Sequence, residues 1–479
     1  MSAMSAPPPP ALPPAVDYRQ RVPVTRRAAV VVVGGGPTGI GAALAAAQEG
    51  VPTLLVERYG FLGGNATAGL VGPLLGAFDA AGEEQLICGL YETFVQRMVA
   101  AGGAIHPREI RTGDPHVAFS TARIFDHATP FDPETMKVVA ARMMGELGVD
   151  LLLHSFLVDA VVEDDRVRGL IVANKSGLQA VEAQVVVDCT GDGDVAARAG
   201  APVVQGREED GRVQPSTMFF RIKDVDKARY HAYVRESGDR HFRELFARAR
   251  AAGDITFQRE IAVVLEQPRG DEWRVNCTRV LGVDGTNVDD LTRAEIEGRE
   301  QVQQLVRFFR AYVPGFERCV LVDTGAQIGV RETRRIVGEY TVSAADVLAG
   351  TPFPDAVLRC AYPPDLHSPT SSGHTQVGAM TANAYQIPYR ALVPQKIDGL
   401  LVAGRCVSAT HEALSAIRVM AQCFGMGQAA GTAAAVAVQT GVSPRRVDVR
   451  RLQETLVARG VNLRGAVPAP AAQPALTTA

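Results

Sequence analysis

One stretch constrains this chain more than any other: Ala28–Gly39, AAVVVVGGGPTG. Its opening run of apolar residues suits a strand buried on both faces, as in a parallel sheet. The glycines after it contain G-x-G-x-x-G, with Gly34, Gly36 and Gly39 in the three places and Pro37 and Thr38 between the last two. In such a turn the first glycine permits the bend and the second lets backbone approach a pyrophosphate. The third lets helix and strand pack closely. Ile40–Glu49 reads as an Ala-rich helix and Val51–Glu57 as a second buried strand. The start of that helix offers unpaired N–H groups to an anion. Glu57 stands about 20 residues beyond the motif, where a carboxylate accepts hydrogen bonds from ribose hydroxyls. The alternative is a plain β-α turn followed by a surface glutamate.

Further along, Asp132–Leu147 reads as a helix, with Asp132 as N-cap and Pro133 at the first helical position. Strand-like pieces come next at Asp150–His154, Phe156–Glu163, Arg166–Ala173, Gln179–Glu182 and Val185–Cys189. The composition changes near Gly206. From there to about Ala384, strand-like pieces (Met218–Lys223, Trp273–Val280) mix with amphipathic helix (Arg293–Phe309). Leu400–Ala403 is again a buried strand, followed by a small-residue helix from about Val419 to Val438. The expected class is α/β: a Rossmann-like dinucleotide-binding domain, with parallel sheet and β-meander, made of 27–205 and 385–462. An α+β substrate or cap domain, 206–384, is inserted into it. Residues 1–26 and 463–479 are Pro- or Ala-rich and read as disordered tails.

Composition narrows the partners. The 479 residues are 47% hydrophobic and 21% charged, with 49 basic against 52 acidic side chains, a net charge of −3. That balance suits a globular protein and argues against nucleic acid as partner. No apolar run approaches the roughly 20 residues of a spanning helix, so no membrane insertion is expected. The N-terminus lacks the basic start and apolar run of a signal peptide. The cysteines number seven, and none forms a C-x-x-C pair. This argues against a zinc site or a disulfide framework and for a reducing, cytoplasmic setting. No residue is assigned to a metal.

The residues after Glu57 suggest which dinucleotide is bound. Arg58–Gly69, RYGFLGGNATAG, is a second glycine-rich loop containing Gly63, Gly64, Asn65 and Ala66. Its Gly63-Gly64 would let backbone lie against a flat ring system. A late strand–glycine–helix unit, Leu400–Gly431, returns near the C-terminus. A long cofactor gripped by separated segments accounts for both, and FAD is the natural candidate.

The sequence resembles the bacterial FAD-dependent oxidoreductases of the glutathione-reductase-type flavoprotein superfamily, distantly similar to fumarate reductase and succinate dehydrogenase flavoproteins. The stretches that carry the likeness include VVVGGGPTGIGAALAAAQEGVPTLLVER, FLGGNATAGLV, VVVDCTGDGDVAARAGAP, IGVRETRRIVGEYTV and LLVAGRCVSATHEALSAIRVMAQCFGMGQAAGTAAA. The resemblance implies that Gly34, Gly36 and Gly39 hold the pyrophosphate, with Glu57 and Arg58 on the adenosine side. It implies that Val158 meets adenine through its backbone and that Thr190, Gly191 and Asp192 form a second contact motif. Gly404 and Arg405 would approach the ribityl chain and the second phosphate. The helix near Val419 would point its positive end at the flavin pyrimidine edge. Members that bind flavin covalently use a His after the Gly-Gly element; Asn65 stands there, which implies non-covalent FAD.

On the substrate side, His411 comes after Arg405 at the spacing of a substrate-binding His in fumarate-reductase-like enzymes. The arginine those enzymes carry four residues later is replaced by Ser415, with Arg418 the nearest substitute. Arg331, in R-E-T-R-R, would clamp a carboxylate, or else mark a helix start with solvated or cofactor-facing charges. His367 and His374 are further candidates, structural or functional. Tyr389 reads as a proton donor or as a buried phenol with a partner. Cys406 and Cys423 read as small buried hydrophobes or, remotely, a dithiol. The expected reaction is hydride transfer between a small carboxylate- or carbonyl-bearing substrate and flavin N5, as dehydrogenation or C=C reduction. An external electron donor or acceptor would complete the cycle, because the chain has no second complete nicotinamide motif. An FAD monooxygenase and a flavoprotein subunit of an electron-transfer complex are the alternatives.

Overall fold

The computed structural model describes residues 16–122 and 125–465. Most of the two expected tails, at 1–15 and 466–479, lies outside the described residues. The chain opens with β1 (Val24–Val33), α1 (Pro37–Gln48) and β2 (Thr53–Val56), then α2 (Leu90–Ala100) and α3 (Pro133–Glu146). The strands β3 (Asp150–Leu152), β4 (Phe156–Glu163), β5 (Arg166–Asn174) and β6 (Gly177–Asp188) come next, then α4 (Asp194–Arg198) and β7 (Val203–Gln205). The middle of the chain forms β8 (Phe220–Lys223), α5 (Lys227–Ser237), α6 (Arg243–Ala251), β9 (Val263–Glu266), β10 (Trp273–Asn276), α7 (Val288–Tyr312) and β11 (Val320–Thr324). It continues through β12 (Arg334–Ile336), α8 (Ala344–Ala349), β13 (Ala356–Cys360) and β14 (Tyr385–Pro388). The end is β15 (Leu400–Val402), α9 (His411–Ile417), α10 (Met420–Thr440) and α11 (Val449–Ala458).

The main sheet runs β3-β2-β1-β6-β5-β4, with β15 also on β6. β1, β2, β3, β6 and β15 pair in parallel, whereas β4 and β5 form an antiparallel meander on the early half of β6. Val30, Val31 and Val32 are fully buried, as a strand covered on both faces requires. β6 is one strand where the sequence pattern predicts two. Ala183 and Gln184 carry no turn former, and Ala28 pairs with Ala183 and Val30 with Val185 without a break. β15 lies beside the late half of β6, with Leu400 against Val186. The C-terminal segment is thereby brought into the N-terminal sheet.

Helix α10 crosses α1 in close contact. A Cβ on Gly427 would lie 1.9 Å from the Thr38 carbonyl oxygen, and one on Gly431 2.0 Å from that of Ala42. Small residues thus let the two backbones meet, and their packing aims both helix starts at one place.

A second core gathers residues between Met218 and Ile328, including Phe220, Phe242, Phe246, Trp273, Phe308 and Phe309. It lies on the four-stranded sheet β11-β8-β10-β9 and helix α7. The expected cap boundary at 384 is displaced. β12 pairs with β7, β13 pairs with β14, and Val342, Val347, Val357 and Leu358 join the core of the first lobe. The tail boundaries shift too: β1 already begins at Val24, and Leu463 is buried against the core. Helix α7 is longer than expected because Asn287 caps it, its side chain accepting from the N–H groups of Asp289 and Asp290. The R-E-T-R-R run ends in a strand, not a helix start. Among the described residues no helix is long and apolar enough to cross a membrane.

Candidate active site

The residues after β1 turn sharply because Gly34 sits at φ +94°, where a Cβ would come within 2.5 Å of the Cys189 carbonyl oxygen. Helix α1 then starts at Pro37 with Gly36 as its N-cap and no side-chain cap. Asp132, Asn287, Thr410 and Asp448 do cap α3, α7, α9 and α11. Helix α10 resembles α1 in this respect: Val419 is its N-cap and offers no side-chain oxygen. Two helix starts with unsatisfied N–H groups therefore face a common groove of about 770 Å³, which is lined by Gly34, Gly36, Pro37, Thr38 and Met420.

At one end of this groove lie Glu57, Arg58, Tyr59 and the start of the meander, with Leu157 and Asp159 flanking Val158. The Glu57 carboxylate accepts from the Gly35 N–H at 2.6 Å and the Tyr59 N–H at 2.8 Å. Burial raises its pKa in spite of those two bonds. Gly64 and Asn65 also line the groove, Gly64 beside Gly36, and Asn65 Nδ2 donates to the Val330 carbonyl at 3.2 Å. Gly63, at φ +115°, and Ala66 flank these two residues in the chain and are not in the groove lining.

The loop after β6 supplies Thr190, Gly191 and Asp192 to the groove. Arg405 donates to Asp192 Oδ1 at 2.7 Å, and Thr333 Oγ1 donates to the same oxygen at 2.8 Å. Arg334 donates to the Asp192 carbonyl at 2.9 Å and also pairs with Asp194. Three distant segments are thus bound together. Gly404 packs behind them, where a Cβ would lie 2.3 Å from Thr38 Oγ1. Burial and the charges of Asp192 and Asp188 push the Asp194 carboxyl up to about 6 despite Arg334.

Arg418 lies at the junction of α9 and α10 and lines the groove with Met420 and Cys423. Its guanidinium donates to Gln214 Oε1 at 3.1 Å and to the Asp365 carbonyl at 3.0 Å. Arg331, half-buried, donates to Pro215 O at 2.7 Å and Thr217 Oγ1 at 2.6 Å, and makes no ion pair among the described residues. Burial and the neighbouring Arg418 charge push Arg331 down to about 9. Arg279 is pushed down to about 10 by burial and Arg259. These are cations short of counter-charge.

His411 begins α9 and is buried. Its Nδ1 lies 2.8 Å from Glu332 Oε1, which also pairs with Arg335; Glu332 Oε2 accepts from the Gln214 N–H at 3.1 Å. Arg335 donates to the carbonyls of Ala409 and Gly206, both at 2.8 Å. An arginine–glutamate–histidine chain thus holds the imidazole, leaving Nε2 without a partner among the described residues. Gln214 joins this chain to Arg418, and its Oε1 also accepts from the His367 N–H at 3.4 Å. Burial opposes ionisation of Asp365, but the His367 and His374 imidazoles and Arg418 overcome it and hold that carboxyl well below its usual range. Burial and Arg331 push His367 well below its usual value.

Of the expected residues, Arg331, His367, His411, Tyr389 and Ser415 are not among those that line the groove. The Tyr389 hydroxyl donates to the Pro444 carbonyl at 2.7 Å and is buried, so it serves the core and not proton transfer. Ser415 is buried in α9, its hydroxyl donating to the Glu412 carbonyl at 2.6 Å. Burial pushes the Cys423 thiol up to about 12 and Cys406 well above its usual value. Neither is a ready thiolate. Sequence reasoning missed Gln214, Glu332 and Asp365. Glu332 left a local sign in its i,i+3 spacing from Arg335, and Asp365 in standing two residues before His367; Gln214 left none.

The groove fits a dinucleotide in its donors and in the open backbone it presents. It has uncapped helix starts for phosphate and ring, a carboxylate where ribose is expected, and bare backbone at Gly36, where a Cβ would meet nothing closer than Gly64 Cα at 3.8 Å. No curated protein matches this sequence. Solved structures with a similar course include the flavin-dependent brominase Bmp2, at 14% identity over 90% of this chain and 83% of that one, with a TM-score of 0.45. The p-nitrophenol 4-monooxygenase PnpA from Pseudomonas putida DLL-E4 matches at 12% identity, 91% and 89% coverage and TM-score 0.44. The L-proline dehydrogenase from P. horikoshii matches at 12% identity, 92% and 99% coverage and TM-score 0.43. The family model described as FAD dependent oxidoreductase matches residues 29–456, from β1 to within α11. The chain belongs to that family and is an enzyme with FAD as its cofactor.

Proposed function

We propose that this enzyme moves a hydride between FAD and a carbon of a small carboxylate- or carbonyl-bearing substrate. The observation that carries the reading is the pair Arg331 and Arg418, one without a carboxylate partner and the other on the groove wall beside the α10 start. Bound FAD supplies the two-electron chemistry. Gly34, Gly36, Pro37, Thr38 and Gly39 would hold its pyrophosphate, and Glu57, Arg58 and the backbone at Val158 the adenosine. Gly64, Asn65, Thr190, Gly191, Asp192 and Arg405 would hold the rest. Asn65, where covalent relatives carry His, supports non-covalent binding. Arg331 and Arg418 would anchor the substrate anion through charge-assisted hydrogen bonds. His411 Nε2, oriented through Nδ1 by Glu332, would take the hydroxyl or amine proton when the neighbouring C–H gives up its hydride, or return it in the reverse direction. The resemblance to fumarate-reductase-type flavoproteins agrees with an anionic substrate, with Arg418 supplying the charge that Ser415 lacks.

Anaerobic screening of small acids, alcohols, amines and enones for flavin bleaching or reoxidation tests the reading. Once a substrate is found, His411→Ala should keep flavin that acid precipitation frees as FAD, while turnover falls by about 10²–10⁴. Unchanged kinetics would remove His411 from the site. Substrate-dependent uptake of dioxygen with a hydroxylated product would point to oxygenation instead.

Asp194 makes flavin binding pH-dependent. Its folded pKa of about 6 lies above its ordinary value of 3.8. The neutral form is therefore favoured in the fold, and the associated stability is lost as pH rises through about 6. The charge then appears in a groove meant for a diphosphate. FAD affinity is expected to fall about three- to tenfold between pH 5 and 7. Asp194→Asn should flatten that profile in a fluorescence titration; an unchanged slope would remove Asp194 as its source.

A further inference from the structure

We propose that Asp365, His367 and His374 form a site for a divalent transition-metal ion of the zinc class. Their ligand atoms, one per residue, lie within 4.8 Å of one another. His367 Nε2 is 3.4 Å from Asp365 Oδ2, and His374 Nε2 is 3.2 Å from Asp365 Oδ1. These two distances run to different oxygens of Asp365; with one atom per residue the three lie within 4.8 Å, and a tetrahedral zinc with nitrogen and oxygen ligands would draw them in to about 3.3 Å. Two imidazoles and one carboxylate are a donor set that zinc, iron(II) and cobalt(II) share.

The backbone builds the site before any ion arrives. Residues 366–375 form a small hairpin: Thr375 N donates to Leu366 O at 2.8 Å and Ser368 N to Gly373 O at 3.1 Å, so the two histidines stand opposite each other. Arg279 reaches across from the second core and donates to the carbonyls of Ser368 and Gly373, at 2.6 and 3.2 Å. The His367 N–H lies on Gln214 Oε1. His367 is 7% exposed and its Nδ1 has no partner, so the imidazole is buried without a complete set of hydrogen bonds. The His374 side chain is 45% exposed, which gives an ion a path from solvent.

Three protein ligands leave a fourth position open, as in metal sites that accept water or substrate. Arg418 lies 3.8 Å from Asp365 Oδ2 and opposes a bare dication. An anion in the open position would offset both charges. That last point rests on the carboxylate-substrate reading; ion binding does not. The cysteine count, which argued against zinc, does not bear on a site without thiolates.

The test uses the flavin-loaded enzyme. After chelator treatment and dialysis it is titrated with Zn²⁺ against a chromophoric chelator, and bound metal is counted by elemental analysis. One Zn²⁺ per chain is expected, with affinity at least about thirtyfold weaker in His374→Ala, whose half-exposed position spares the fold. FAD content and melting temperature should stay unchanged in that variant. Asp365→Asn should lose binding as well. No zinc uptake, or equal uptake by the parent and His374→Ala, overturns the site. Loss of substrate specificity for anions in Arg331→Met bears on the substrate reading alone and leaves the zinc count untouched.

Discussion

Gly39→Ala is expected to cost the enzyme its flavin. A Cβ at this position would sit 1.7 Å from the Gly34 carbonyl oxygen, a backbone atom that no side-chain rotation can move. The start of α1 must then leave the turn, and the N–H groups meant for the pyrophosphate leave with it. Overpacking of this kind costs typically about 1–3 kcal/mol. Lost binding of similar size corresponds to about five- to 150-fold in FAD affinity. The comparison is Gly145→Ala in α3, where a Cβ would meet nothing within 4 Å. There alanine should stabilise by about 0.5–1 kcal/mol, because glycine is the poorer helix former. Flavin absorbance per chain after gel filtration reads both variants. A Gly39→Ala protein with a full complement of FAD would mean that the cofactor does not rest on this turn.

The second large effect is expected from Glu332→Ala. Glu332 is fully buried between Arg335 and His411. Removing it leaves the buried Arg335 guanidinium without its counter-ion, and burial already disfavours the charged form there. Breaking a buried pair from one side costs about 3–5 kcal/mol. In a cooperative unit of this lobe's size that is a fall in melting temperature of about 10 °C. Turnover should drop too, since the His411 ring loses the acceptor that sets its orientation. Glu332→Gln keeps an oxygen for His411 and should lose less of both. A parental melting temperature in Glu332→Ala would show that Arg335 finds its compensation elsewhere.

The groove and the charged cluster that meets it at Arg418 differ in how legible they are in the sequence. The groove's first half is written in contiguous residues. A buried strand, a glycine turn, a helix and an acid-ended strand succeed one another within β1–α1–β2, and each step has a local cause in periodicity, torsion freedom or helix ends. The late strand at Leu400–Val402 and its helix are legible for the same reason. The charged cluster that Arg418 joins to the groove is not. Gln214, Glu332, Asp365 and His411 come from four separate segments, and no short-range pattern ties one to another. The meeting of Arg418 with Gln214, or of His367 with His374 across a hairpin held by Arg279, depends on how the second core packs against the first.

Tyr389 and Ser415 show the same division from the other side. Each has a residue type suited to chemistry, and each spends its hydroxyl on a nearby carbonyl inside the core. By itself the sequence determined the dinucleotide-binding lobe, because turn geometry and strand periodicity are properties of neighbours in the chain. Only the tertiary structure decided which charged side chains stand without counter-ions and which converge. Burial and charge compensation are settled by neighbours in space.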